Sequence, residues 1–306
     1  MPEHSKRILL VESDLALRGT LRRFLEMSYQ VEVAESGNDA LLHMSHHPGI
    51  DLVLAEWHLE GMTGLDFVIA AKKHFPDTRF ALMSRSRYDD HFHKLREHDI
   101  FQVIGRRTPF DFEEFSGHIA TILDPRSRLG LAAQLKAGSE IFSTGIQTPA
   151  DRAALVARLS SICRNYRPEE TDVSRLQLAC EELINNAVFH AFRGGDGTPK
   201  YRPGSEFHLE PGEILNAEVA HNDRYIGFAV RDNQGLLGPN GVMEKLERQI
   251  TRQGLMDASG RGLYLAWTLS QRMIVTVEPG KLTEIVLLFS HDPPHPPRPL
   301  CINIVA

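Results

Sequence analysis

The stretch Cys180-Glu181-Glu182-Leu183-Ile184-Asn185-Asn186-Ala187-Val188-Phe189-His190 sets Glu182, Asn186 and His190 at i, i+4 and i+8. On a helix these three line one face, a turn apart. A carboxylate followed one turn later by a carboxamide suits a magnesium–nucleotide site. The amide oxygen is a hard ligand for a magnesium ion bridging phosphates, and the carboxylate orients or deprotonates an attacking hydroxyl or water. The same three residue types also describe the solvated side of an ordinary helix, so the stretch decides nothing without its downstream neighbours.

Downstream, Ile226 to Arg231 alternates like a strand and runs into Asp232-Asn233-Gln234-Gly235. Gly260-Arg261-Gly262-Leu263 then opens an apolar helical pattern through Leu265, Ala266, Leu269 and Met273. An Asp at a strand end accepts a hydrogen bond from the exocyclic amine of adenine, whereas guanine would set two acceptors face to face. Glycines opening a helix let backbone N–H groups approach phosphates at the positive end of the dipole.

The order helix Glu-x3-Asn-Ala-x2-His, strand-Asp-x-x-Gly, then Gly-x-Gly-Leu resembles the Bergerat ATP-binding fold of sensor histidine kinases, DNA gyrase and the serine kinases that act as anti-sigma factors. The compact size and the Asn-Ala-x2-His pattern are most similar to the last branch. The resemblance covers residues 139–290 and implies a C-terminal α/β two-layer sandwich that binds ATP with Mg2+. By position it implies that Glu182 is the general base, Asn186 the magnesium ligand and Asp232 the adenine reader. Gly235 takes the place of the first glycine box, and Gly260 with Gly262 that of the second. One departure is clear: the usual Asp-x-Gly is here Asp232-Asn233-Gln234-Gly235, one residue longer, which bears on the turn beside the adenine and on nucleotide affinity. His190 matches a frequent family position but is read as helix packing, and Glu181 with Asn185, one residue out of step, as structural. Leu236 to Ser259 corresponds to the family's lid over the triphosphate, in preference to a plain surface helix carrying Glu244, Lys245, Glu247 and Arg248. Arg261 suits either a phosphate contact or the surface.

The amino-terminal half reads differently. Ile8–Val11, Val31–Ala34, Leu52–Ala55, Phe80–Met83 and Phe101–Ile104 are short apolar strands separated by amphipathic helices. Continuous apolar strands with helical crossovers imply a doubly wound parallel sheet, flavodoxin-like, with its site beyond the carboxyl ends of the strands. At those ends lie Glu12, Ser13 and Asp14, then Glu56, Ser84 and Thr108-Pro109-Phe110. With Gly61-Met62-Thr63-Gly64-Leu65, this is similar to the receiver domain of bacterial response regulators. The resemblance also implies altered chemistry: Glu56 stands at the phosphoacceptor Asp, Ser13 at the second acid of the magnesium pair, and Thr108 at the lysine. Only Glu12 and Ser84 keep the expected character. Without a metal ligand and the neutralising lysine, acyl phosphate formation at Glu56 should be badly impaired. A glutamate supplies about one charge where a phosphoryl group supplies nearly two. Either Arg106 or Arg107 pairs with Glu56, or both are exposed; the sequence favours exposure. The expectation is a pseudo-receiver used for docking or for homodimerisation, through strand–helix units that include Phe101 and Phe112.

A net charge of -6 and the lack of a basic stripe argue against nucleic-acid binding. Cys163, Cys180 and Cys301 have neither disulfide nor zinc spacing. Met1 to Arg7 is polar and enters a core strand directly, and no apolar run nears the roughly 20 residues a membrane span needs, so a cytoplasmic protein is expected. The expected plan is a receiver-like domain at 1–123, a linker at 124–138, the ATP-binding domain at 139–290 and a Pro-rich tail at 291–306. The linker's apolar patch, Leu129 to Leu135, suits a coupling helix or a dimer contact. Arg193 to Glu213, rich in Gly and Pro, is expected to be an insertion loop. Asp292 to Pro299 reads as polyproline, and Cys301 to Val305 as an edge strand or an extension onto a partner. The resemblance implies a serine/threonine kinase of the anti-sigma type, acting on an antagonist of the sulfate-transporter/antagonist class or sequestering a sigma factor. The alternative is a nucleotide-gated adaptor without catalysis. A histidine kinase is disfavoured because His118, in the last receiver helix, is in no phosphoaccepting context.

Overall fold

The computed structural model describes residues 5–135, 139–166, 169–251, 261–291 and 297–305. The chain divides into two compact units, Met1–Leu123 and Asp124–Ala306.

The first unit alternates strand and helix throughout: β1 (Arg7–Val11), α1 (Leu15–Leu25), β2 (Gln30–Ala34), α2 (Gly37–His46), β3 (Leu52–Glu56), α3 (Gly64–His74), β4 (Arg79–Ser84), α4 (Phe92–Glu97), β5 (Gln102–Gly105) and α5 (Phe112–Leu123). The strands are parallel in the order β2-β1-β3-β4-β5. Helices on both faces bury β1 and β3 from two sides, which is why Ile8–Val11 and Leu52–Ala55 are apolar without alternation. Several of these helices start where a side chain satisfies their free amides. Asp14 accepts from the amides of Ala16 and Leu17, Ser36 from Asp39, and Thr63 from Asp66. At Gly64 a Cβ would lie 2.0 Å from the Glu56 carbonyl oxygen, so only glycine lets the β3–α3 connection fold back so closely.

The second unit comprises α6 (Leu131–Gln134), β6 (Glu140–Gly145), α7 (Pro149–Tyr166), α8 (Glu170–Ala191), β7 (Leu215–His221), β8 (Tyr225–Asp232), α9 (Pro239–Ile250), α10 (Arg261–Leu269), β9 (Arg272–Glu278), β10 (Leu282–Ser290) and β11 (Leu300–Ile304). Its strand order is β11-β9-β10-β8-β7-β6, antiparallel except for the parallel β11–β9 pair. α8 packs between α7 and α10 and lies over the face that carries Val230, Asp232, Thr283 and Ile285.

The other face is covered as well, by the segment expected to be a linker. Leu131 and Leu135 pack against Ala220, Ala229, Ile274, Val286, Leu288 and Cys301. The Gly130 amide donates to both oxygens of Glu284, at 3.0 and 3.1 Å, and the Leu131 amide to Glu218 at 2.8 Å. Glu284 also holds Arg231, whose Nε approaches to 2.7 Å. Sequence alone shows Leu129 to Leu135 as apolar but not what it covers. Cys301 to Val305 likewise turns inward, joining β9 as β11, while residues 292–296 of the proline segment lie outside the described residues. Arg193 to Glu213 holds no strand or helix. It is tied by Lys200 to Glu210 and Glu213 and by a bond between the Tyr201 hydroxyl and Glu213. No helix among the described residues is long and apolar enough to cross a membrane.

Replacing Leu131 by Ala removes a fully buried side chain from the sheet's second face, a change that typically costs about 2–5 kcal/mol. Denaturant unfolding of the whole chain should show this loss in the second unit's transition. An unchanged midpoint would mean that the segment rests on the sheet without stabilising it.

Candidate functional site

The first unit gathers Glu12, Glu56, Ser84 and Arg106 at the carboxyl ends of β1, β3, β4 and β5. Arg106 is 4 % exposed and stands between two acids that are each 2 % exposed. Its Nη1 donates to Glu12 Oε2 at 3.0 Å, and its Nη2 forms an ion pair with Glu56 Oε2 at 2.9 Å. The sequence-based preference for exposure is therefore wrong for Arg106, which takes the place between the acids; Arg107 instead faces Glu114 at 3.7 Å. Arg106 sits there because its amide, donating to the Ser84 carbonyl at 2.7 Å, continues the β4–β5 ladder one residue further. The Ser84 hydroxyl is turned into its own loop, donating to the Ser86 carbonyl at 2.8 Å. Ser13 is half-buried and Thr108 exposed.

Burial raises the Glu56 carboxyl to about 7, the nearby Glu12 charge adds to this, and Arg106 opposes it. A proton bound more tightly in the folded state stabilises fully at low pH, and this contribution is lost as pH rises through the folded value. Glu56 should therefore make the first unit lose stability between about pH 4.5 and about 7, by on the order of 3 kcal/mol. In Glu56→Gln that dependence should flatten in pH-resolved denaturant unfolding. A steeper or unchanged slope would place the titration elsewhere.

The second unit holds a cavity of about 260 Å3 between α8, α9 and the sheet. Asn186 and His190 line it from α8, Asp232 from the end of β8, Thr283 from β10 and Lys245 from α9. His190 therefore faces the cavity instead of packing the helix. Lys245 lies in the wall too, not on a solvated face with the exposed Glu244 and Arg248. Burial, with help from the cations Lys245 and Arg193, holds the His190 imidazole below its usual range. The one-residue slip that separates Asn185 from Asn186 is decisive. The Asn185 oxygen accepts from Arg152 at 2.6 Å, whereas the Asn186 carboxamide, in the cavity wall, has no hydrogen-bond partner among the described residues.

Asp232 is buried, and this raises its carboxyl. One of its oxygens accepts from the Gln234 and Gly235 amides at 2.8 and 3.2 Å. Those two bonds account for the extra residue: Asp232-Asn233-Gln234-Gly235 closes as a side-chain-to-backbone turn. Gly235 has φ +62°, and a Cβ there would lie 2.2 Å from the Glu278 carbonyl oxygen, so this position requires glycine. Gly235 thus shapes the turn against the β9–β10 hairpin and is not in the cavity wall.

Glu182, a turn before Asn186, lies beside the cavity against the first turn of α10. A Cβ on Gly262 would come within 2.4 Å of Glu182 Cβ, so this glycine sets how near α10 comes to the acid. Burial and the neighbouring Glu181 charge raise the Glu182 carboxyl, which suits a proton acceptor. Gly260, and Arg252 to Ser259 of the expected lid, lie outside the described residues; the described part of the lid is Leu236–Thr251, mostly α9. Among the polar cavity residues, Arg193, Lys245 and Thr283 were given no place in the site by the sequence reading. For Lys245 a signal existed: Gly238, Gly241 and Lys245 recur at helical spacing, along a stripe flanking the buried apolar Val242, Met243 and Leu246.

Residues 8–119 match the family model for the response regulator receiver domain, and residues 147–287 that for the histidine kinase-like ATPase domain. The chain thus carries an N-terminal receiver domain and a C-terminal histidine kinase-like ATPase domain. Among solved structures, a receiver domain protein of Clostridium thermocellum is 18 % identical, covering 41 % of this chain and 99 % of that one, with a TM-score of 0.36. A CheY-like receiver domain protein of Methanospirillum hungatei JF-1 is 22 % identical, with the same coverages and a TM-score of 0.37. No curated protein matches the sequence. The pairing of the two domains fits a bacterial signalling protein with an ATP-binding output.

Proposed function

We propose that the C-terminal domain is an ATP- and Mg2+-dependent serine/threonine protein kinase of the anti-sigma type, governed by a receiver half that does not itself take up phosphate. The observation that carries this reading is the pair of uncommitted side chains on one face of α8. Neither Glu182 nor Asn186 has a hydrogen-bond partner among the described residues, while their out-of-step neighbours Glu181 and Asn185 are bonded to Gln177 and Arg152. The residues fit the implied groups: a hard amide oxygen for magnesium at Asn186, and a buried carboxylate for an exocyclic amine at Asp232. When bound, ATP supplies the phosphoryl group and the metal screens its charge. Glu182 would take the proton from the serine or threonine hydroxyl of the partner protein that is to be phosphorylated. Gly262 keeps α10 close to this base. The partner class is a small antagonist protein of the sulfate-transporter/antagonist type or a sigma factor, and the protein is expected to act as a homodimer in the cytoplasm. For pairing through the receiver, Phe101 is the better candidate, since Phe112 already packs on Phe24 with ring centres 4.7 Å apart.

For the receiver half, the support is Arg106. Its guanidinium already pairs with the two acids, Glu12 and Glu56, that a catalytic metal and a phosphoryl group would need. Acetyl phosphate treatment followed by intact-mass measurement should leave the chain unmodified, and a labile adduct on Glu56 would refute this part.

One observation favours a second reading, a nucleotide-gated adaptor without catalysis: Glu182 lies beside the cavity rather than in its wall. Calorimetric titration should show ATP but not GTP binding, lost in Asp232→Ala. With the partner present, Glu182→Ala should retain ATP binding and lose transfer by about 100-fold or more, the usual weight of a general base. Transfer at the wild-type rate would remove Glu182 from its role, and partner capture without any phosphorylated species would select the adaptor.

A further inference from the structure

The solvent side of α8 continues past the site. One turn before Glu182 stands Leu178, and two turns before it Arg175, so the three occupy i, i+3 and i+7 on one stripe. Two contacts mark the flanks of this stripe. Asn185 accepts from Arg152 of α7, and Glu182 lies against Gly262 of α10, so the stripe runs along α8 between those two helices. Leu178 is 48 % exposed, and among the described residues of the second unit it is the large apolar side chain left exposed on a helix. Its neighbours Leu176, Ala179 and Cys180 are buried, so the apolar interior of the helix is complete without it. Arg175 is exposed and makes no hydrogen bond or ion pair with any described residue. A single exposed leucine is ordinary on a protein surface. This one stands between an uncommitted cation and the proposed base, at the end of the stripe away from Asn186 and His190, which line the cavity.

We propose that Arg175 and Leu178 form the docking ridge for the partner protein's hydroxyl-bearing segment, an extended stretch with an apolar residue and an acid on the same side of its serine or threonine. The inference rests on the kinase reading and adds to it what the substrate carries beside the hydroxyl. A hydroxyl that Glu182 is to deprotonate has to come within about 3 Å of that carboxylate. In this reading the cavity side of Glu182 belongs to the nucleotide, so the substrate chain enters from the solvent side, where α8 offers Leu178 and Arg175. A helix rises about 1.5 Å per residue, which sets Leu178 roughly 6 Å and Arg175 roughly 10 Å from Glu182 along the axis. An extended chain advances about 3.3 Å per residue. The apolar residue therefore falls about two residues from the hydroxyl, and the acid about three or four. Covering Leu178 supplies affinity, and Arg175 selects an acid over a base by charge.

The test is phosphorylation by the full chain, with Mg2+ and ATP, of synthetic peptides built around one serine. The parent peptides carry a leucine two residues and a glutamate four residues from the serine, on its amino-terminal or its carboxyl-terminal side. Companion peptides replace the leucine by alanine or the glutamate by lysine. Wild type should favour one parent over its companions by about tenfold in kcat/KM. Leu178→Ser should abolish the preference for leucine, and Arg175→Glu should turn the preference for glutamate into one for lysine. Both effects should appear in KM, with calorimetric ATP affinity unchanged and thermal melts verifying folding. If both variants keep the wild-type peptide profile, the ridge does not dock the substrate and the proposal fails. If wild type binds ATP but phosphorylates no peptide, the ridge takes no such segment; the proposal fails, while the kinase reading is still decided by transfer to a folded partner. If Leu178→Ser changes the oligomeric state in light scattering and leaves the peptide profile alone, a second copy covers the ridge and the proposal fails. Absence of ATP binding in wild type removes the kinase reading and the ridge with it.

Discussion

The pairing of β8 with β10 fixes Asp232 opposite Thr283 and Arg231 opposite Glu284. Successive side chains of a strand point to opposite faces, so one residue's step separates two chemistries. On one face Asp232 and Thr283 close the cavity under α8. On the other, Arg231 and Glu284 hold each other, and Glu284 takes the Gly130 amide. A slip of one residue in this register would turn Asp232 away from the cavity and set Arg231 into it. The turn after β8 guards against that slip, because Gly235 fits against Glu278 and Lys281 only in the register observed.

In the first unit the controlling contact is the guanidinium of Arg106 between Glu12 and Glu56. Two carboxylates brought together in a dry pocket repel, and one of them has to bind a proton or share a cation. Here the cation belongs to the chain. The four strand ends are thus closed by a group that cannot diffuse away, and the altered residues Ser13 and Thr108 fall outside the closed set. In this pocket the two acids are held around a cation of the chain itself.

Much of the fold is legible in the sequence because its strands are short and buried on both faces. Ile8–Val11 and Leu52–Ala55 have no alternative to a covered parallel sheet. The face bearing Glu182, Asn186 and His190 is legible because helix period alone aligns it. What escapes is what depends on distant packing. Nothing local to Arg106-Arg107 says which guanidinium turns inward, since that choice follows from Arg106 continuing the β4–β5 ladder. The direction of Lys245 depends on which side of α9 buries Val242, Met243 and Leu246. The role of Gly235 depends on a hairpin some forty residues later, and the cover provided by Leu131 depends on the second face of a sheet whose strands lie more than eighty residues on.

That cover has a consequence for where the domain begins. The family match spans residues 147–287, yet β6, α6 and β11 lie outside those limits. Two of them extend the sheet and the third roofs it. The stretch recognisable by ancestry is therefore smaller than the stretch that folds as a body. A gene fragment trimmed to the recognisable part would encode a sheet stripped of two strands and bare on one side. For this chain the physical domain starts at Asp124, where the second compact unit begins.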